Sequence, residues 1–144
     1  MKKLRLTKKF EFEAAHALNN YDGLCKNIHG HSYKLFVTII GEAEININSP
    51  KLGMVLDFKI LKEIVKSNII DKFDHSLIIH KNNEFIHKFS TEYKVFISDF
   101  QPTAENLILY IAENLKEKFP NGISLFSLKL YETENSYVEW FYYD

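Results

Sequence analysis

Residues 29–41 read HGHSYKLFVTIIG, and every second side chain (His29, His31, Tyr33, Leu35, Val37, Ile39) falls on one side before Gly41 closes the run. Period two is the pattern of a β-strand with one buried face. Residues 4–16 repeat it: Leu4, Leu6, Phe10, Phe12 and Ala14 share one parity, broken at Lys8, and His16 continues it. The two runs are close enough in sequence to pair antiparallel through a loop from Asn19 to Lys26.

Downstream the period changes. In residues 57–70, DFKILKEIVKSNII, the apolar residues Phe58, Leu61, Ile64, Val65 and Ile69 lie at helical spacing behind an Asp57 N-cap. A second helix opens in PTAENLILYIAENLKEKF, residues 102–119, with Thr103 as N-cap and Glu105 in the first turn, where the helix dipole favours an acid. Its stripe is Ala104, Leu107, Ile108, Ile111 and Leu115, and Pro120, Asn121 and Gly122 stop it. Strands follow at 123–133 and 136–143. The order is ββααββ, an α+β fold with a four-stranded antiparallel sheet and both helices on one face. Residues 76–101 are the least patterned, with one short extended piece at KVFIS.

The bulk composition narrows the classes. The 144 residues, 46% hydrophobic, suffice for one core and predict one domain over 1–144. A net charge of −1 supplies no general attraction to nucleic acid or an anionic membrane. One cysteine forms no internal disulfide, and no apolar run has membrane-spanning length, so a cytoplasmic protein is expected. The last strand carries aromatics on both sides, Val138, Trp140 and Tyr142 against Tyr137, Phe141 and Tyr143. It is either a twisted strand with wet tyrosine hydroxyls or a surface through which subunits associate.

Residues two apart on a strand point the same way, so His29 and His31 can approach one ion, and His16 at the end of the paired strand can join them. Three neutral imidazoles with an open fourth position suit catalytic zinc, although iron or another divalent ion fits the same donors. Cys25, four residues before His29, is by geometry alone either the fourth ligand or a catalyst. A thiol beside a dication suits a base or nucleophile. Asp74 and His75 supply a carboxylate next to a proton carrier, but adjacent residues on a helix or strand diverge, so spacing does not make them a pair. His80 and His87 have no partner in the sequence and are expected in solvent. Glu132 shares parity with Phe126, Leu128 and Leu130. A carboxylate on that apolar face calls for a structural cation, a backbone amide or a ligand with paired N–H donors.

Taken in order, FEFEAAHAL, CKNIHGHSYKL, GMVLDFKILK, DHSL, PTAENL and LYET resemble the family of 6-pyruvoyl-tetrahydropterin and 6-carboxytetrahydropterin synthases, from about Phe10 to Thr133. The resemblance implies a tunnelling fold (T-fold) whose subunits join their sheets into a β-barrel, as a homotrimer or a homohexamer of two stacked trimers, with active sites between subunits. It implies that His16, His29 and His31 hold Zn2+, that Cys25 is the catalytic base, and that Asp74 and His75 form a relay from the neighbouring subunit. Glu132 would anchor the pterin, and Thr103 and Glu105 would belong to its pocket. The implied substrate is 7,8-dihydroneopterin triphosphate. Three residues between Cys25 and His29 resemble the carboxy branch, which serves queuosine synthesis and releases acetaldehyde; pyruvoyl members, which serve tetrahydrobiopterin synthesis, commonly have a longer gap. The stretch between His75 and Pro102 is longer than is common in the family and bears on substrate choice. Outside the family, a metal-hydroxide hydrolase leaves Cys25 and Glu132 without duties, and a non-catalytic pterin- or purine-binding module leaves the thiol idle.

Overall fold

The computed structural model describes residues 2–89 and 92–144. Strand β1 (Lys3–His16) pairs antiparallel with β2 (His29–Glu42) over their whole length, His16 opposite His29 and Ala14 opposite His31. Helix α1 (Phe58–Val65) follows, with the Asp57 carboxylate accepting from the Lys59 N–H at its N-cap. A π-helical turn (Lys66–Ile70) and a last turn α2 (Asp71–Phe73) extend it beyond the expected end at residue 70. Within that turn the Ser67 hydroxyl and Asn68 amide donate to the Glu63 and Ile64 carbonyls, competing with regular α-helical bonding. Then come β3 (Ser76–His80), the short α3 (Ile86–Phe89), β4 (Val95–Ser98), α4 (Ala104–Leu115), β5 (Ser124–Thr133) and β6 (Ser136–Phe141).

The sheet order is β4-β3-β1-β2-β5-β6. The four expected strands form its antiparallel part, β1-β2-β5-β6. Two more, β3 and β4, add parallel to the β1 edge, so the sheet has six strands rather than four. β4 coincides with the extended piece expected at KVFIS. β3, SLIIH, is too short to display a period, and Ile78 and Ile79 are both buried. Among the described residues, no helix is long and apolar enough to cross a membrane.

One core cluster joins the sheet to the helices. Phe10, Phe12, Tyr33, Leu35, Val37, Leu128 and Leu130 meet Leu61, Val65, Ile69, Leu107, Ile111 and Leu115 in it. Both helices therefore cover the face that His16, His29 and His31 share. Phe58 is an exception to the expected stripe: it opens α1 and is 51% exposed.

Candidate active site

Burial and backbone bonding fix the three imidazoles. His16 ends β1 at 2% exposure, and its Nδ1 lies 2.6 Å from the Pro102 carbonyl oxygen. His29 opens β2 with Nδ1 2.8 Å from the Asn27 carbonyl. A carbonyl only accepts, so each Nδ1 carries the hydrogen, and each Nε2 presents a lone pair. Those two Nε2 atoms face each other at 2.9 Å. Two lone pairs at that distance repel unless a cation or a proton lies between them. His31 Nε2 is buried without a hydrogen-bond partner, an arrangement that is costly unless something binds there. One ligand atom from each of the three residues lies within 4.8 Å of the others. Burial, foremost, lowers the His16 pKa from 6.5 to about 4 and also lowers that of His31, so both imidazoles are neutral, the form that ligates. Donor type, tautomer and orphaned nitrogen all fit a divalent ion held by three histidines.

Tyr33 lies behind this cluster, fully buried and stacked on Phe12 at 4.9 Å between ring centroids. Its hydroxyl is 3.4 Å from His16 Nδ1, and burial raises its pKa.

Beside the cluster, a pocket of about 310 Å³ is lined by His16, Cys25, Thr103, Glu105 and Glu132, with Leu18, Tyr21 and Ser136 to Val138 completing the wall. Five of the residues singled out in the sequence, drawn from four segments, thus converge. Cys25 sits in a 3₁₀ turn (Leu24–Lys26) inside the β1–β2 loop and is partly exposed. Thr103 is the N-cap of α4: its hydroxyl oxygen accepts from the Asn106 N–H at 3.2 Å, which leaves its own hydrogen free to donate. Glu132 stands where the β5–β6 register shifts between Tyr131 and Thr133. Such a bulge re-aims a side chain, and Glu132 Oε1 lies 3.8 Å from His31 Nε2.

Asp74 and His75 are elsewhere. His75 lines a different cavity of about 580 Å³, with Glu13, Gly30, Ser32, Tyr93 and Lys94, and His31 borders that cavity as well. Spacing leaves the pairing of Asp74 with His75 open; in the structure Asp74 Oδ2 is 3.1 Å from His75 Nδ1. The backbone explains it, since His75 adopts φ +59°, a left-handed conformation that folds adjacent side chains together. The kink is clipped on three sides. The His75 N–H donates to the Glu13 carbonyl at 2.6 Å, and the Glu13 N–H donates to Asp74 Oδ1 at 2.9 Å. Lys94 Nζ donates to the Asp71 and Asp74 carbonyls at 2.6 and 2.7 Å. The Glu13 amide, with His75 contributing, holds the Asp74 carboxyl below its usual range, so it is ionised and can orient the ring.

His87 is exposed as expected. His80 is half-buried, and its Nδ1 accepts from the Asn82 N–H at 3.0 Å.

A family model described as 6-pyruvoyl tetrahydropterin synthase matches residues 5–141. The chain belongs to that family. A relative from Haemophilus influenzae named 6-carboxy-5,6,7,8-tetrahydropterin synthase is 38% identical over 141 residues, covering 94% of this chain and 97% of that protein. The human 6-pyruvoyl tetrahydrobiopterin synthase is 34% identical over 118 residues, covering 81% and 69%. Among solved structures, the 6-pyruvoyl tetrahydropterin synthase of Caenorhabditis elegans superposes with a TM-score of 0.69 at 28% identity, covering 98% of this chain and 96% of that one. The enzyme of the same name from Plasmodium vivax, at 18% identity and TM-score 0.73, shares the fold over 97% and 98%. The T-fold expected from the motifs is therefore the fold of the family and of this chain.

Two features of the site were not read from the sequence. Gln101 ties the Cys25 loop to the start of α4, and two backbone carbonyls, of Pro102 and Asn27, set the tautomers of His16 and His29. PTAEN and HGH mark these places, but a carbonyl's direction is not written in side-chain identity.

Proposed function

We propose that this protein is a zinc-dependent 6-carboxy-5,6,7,8-tetrahydropterin synthase acting on 7,8-dihydroneopterin triphosphate. One observation carries the proposal: His16 of the three-histidine cluster, with its Nε2 opposed to that of His29, lines a pocket that also holds the lone thiol and a bulged carboxylate, and that carboxylate lies 3.8 Å from His31. The curated relatives named for the carboxy reaction match nearly their full length, which supports that branch over the pyruvoyl one.

His16, His29 and His31 would hold the ion. Zinc bound there supplies a Lewis acid that steadies negative charge developing on the substrate's side chain. Glu132 accepts two hydrogen bonds from the pterin's adjacent ring N–H and amino group, a two-point contact that fixes the ring. The Thr103 hydroxyl, spare as a donor, and Glu105 complete the ring's surroundings. Cys25 as thiolate takes the proton from the side-chain carbon. His75, oriented by Asp74, exchanges protons at the opposite side. Within one chain His75 lines a different cavity from Cys25, which is compatible with the relay from the neighbouring subunit of a homotrimer or homohexamer that the family resemblance implies. The exposed aromatics in and just after the last strand, Tyr137, Phe141 and Tyr142, are the surface proposed to join subunits.

Incubation with 7,8-dihydroneopterin triphosphate and product analysis tests the assignment. Acetaldehyde together with 6-carboxytetrahydropterin is expected. A pyruvoyl product would move the protein to the other branch, and inertness towards the substrate would refute both.

A further inference from the structure

The Gln101 side-chain amide makes two hydrogen bonds to the backbone of one residue: its Nε2 donates to the Asn19 carbonyl at 2.8 Å, and its Oε1 accepts from the Asn19 N–H at 2.8 Å. A primary amide matches a backbone N–H and C=O pair in this way, and the pair dictates which way the amide faces.

Both ends of the clamp lead into the pocket. On one side, the Leu18 N–H donates to the Cys25 carbonyl at 2.9 Å, so fixing Asn19 fixes the neck of the loop that carries the thiol. On the other, the Gln101 carbonyl accepts from the Thr103 N–H at 2.8 Å and from Asn106 Nδ2 at 3.0 Å, which joins it to the first turn of α4. Among the described residues, the other side-chain and loop hydrogen bonds of residues 17–28 stay within the loop or reach His29. Gln101 does not line the pocket, so it acts through the residues it holds.

We infer that Gln101 is a positioning residue that latches the Cys25 loop to the α4 N-terminus and sets the thiol against Thr103, Glu105 and Glu132. The inference deepens the proposed function and rests on it for its kinetic consequence. A misplacement of about 1 Å at a reacting group costs on the order of 10²-fold in rate. The Gln101 side chain bonds to no residue lining the thiol's pocket and to no histidine. Its backbone carbonyl keeps its bonds to α4 when the side chain is replaced, so the loss should fall on kcat rather than on substrate binding.

The test uses the metal-loaded, full-length protein and two variants. Gln101→Leu removes both hydrogen bonds at similar volume; Gln101→Glu keeps the acceptor and loses the donor. For Gln101→Leu, kcat should fall by about 10- to 100-fold with KM within about twofold of wild type. Metal content by elemental analysis should be unchanged, and Gln101→Glu should fall between the two. Because Cys25 is the chain's only cysteine, iodoacetamide alkylation followed by mass spectrometry reports its exposure without any substrate. The rate should rise by about tenfold in Gln101→Leu, as the loss of two hydrogen bonds of ordinary net strength implies. Wild-type kcat and alkylation rate in both variants would overturn the inference. So would an activity loss that tracks metal loss, since that would place Gln101 behind His16 through Pro102 instead. If the wild-type protein is inert towards 7,8-dihydroneopterin triphosphate, the proposed function fails, while the alkylation arm still decides the latch.

Discussion

His16 Nε2 and His29 Nε2 oppose each other at 2.9 Å while both Nδ1 atoms are engaged by backbone carbonyls. The neutral cluster could hold a metal ion, and without a cation or a proton between them the two lone pairs repel. His29→Ala removes one of the opposed pair and should abolish stoichiometric metal binding, read by elemental analysis of protein purified without added chelator. Unchanged occupancy would defeat the metal assignment.

The same burial predicts a pH dependence. In the folded, metal-free chain His16 has its pKa lowered to about 4, against 6.5 when exposed. Between those values the unfolded chain binds the extra proton, so stability rises with pH through that window and is lost as pH falls from about 6.5 towards 4. His31, lowered as well, adds in the same direction. The His16 shift alone corresponds to about 3 kcal/mol across the window. Denaturant titrations of the chelator-treated protein at a series of pH values check it; a flat profile from pH 7 to 4 would count against neutral, buried imidazoles.

Sequence periodicity placed the core and the three-histidine cluster because both are set by parity. Phe10, Phe12, Tyr33 and Leu35 lie on the same parities as His16, His29 and His31, and the β1–β2 register brings them together. Spacing alone does not give the pairing of Asp74 with His75, because it depends on a positive φ at a non-glycine residue; the DHSL motif points to it only through the family resemblance. The strand β3 was hidden for a different reason: buried on both faces, SLIIH has no alternation to detect. Glu132 was legible as a carboxylate on an apolar face, but the register shift that turns it towards His31 arises from strand pairing, not from local sequence.

Lys94 gives a test of that strained pair. Its ammonium holds the Asp71 and Asp74 carbonyls just ahead of the kink at His75. Lys94→Met keeps most of the side-chain volume and removes both bonds. Stability should drop by about 1 to 2 kcal/mol, below the full strength of two charge-assisted bonds because the site is exposed to solvent. Metal content should be retained and kcat should fall, since His75 loses part of its support. Full activity at unchanged stability, measured by denaturant titration and steady-state kinetics, would show that the kink is held without it.

Glu132→Gln separates ring binding from metal binding. The variant offers the pterin one acceptor in place of a charged two-point contact, which should cost about 1.5 to 3 kcal/mol in kcat/KM, or roughly 10- to 150-fold. Elemental analysis should show the ion still bound. Loss of the ion instead would make Glu132 a ligand, a role its 3.8 Å approach to His31 brings within reach.

The proposed function requires that Cys25 and the three histidines form one active centre. The most direct measurement is turnover of 7,8-dihydroneopterin triphosphate by metal-loaded Cys25→Ala, with metal content determined on the same sample. Full metal occupancy is expected, with turnover reduced by about 10²- to 10⁴-fold, the range a positioned acid–base group contributes. Wild-type turnover by that variant would contradict it.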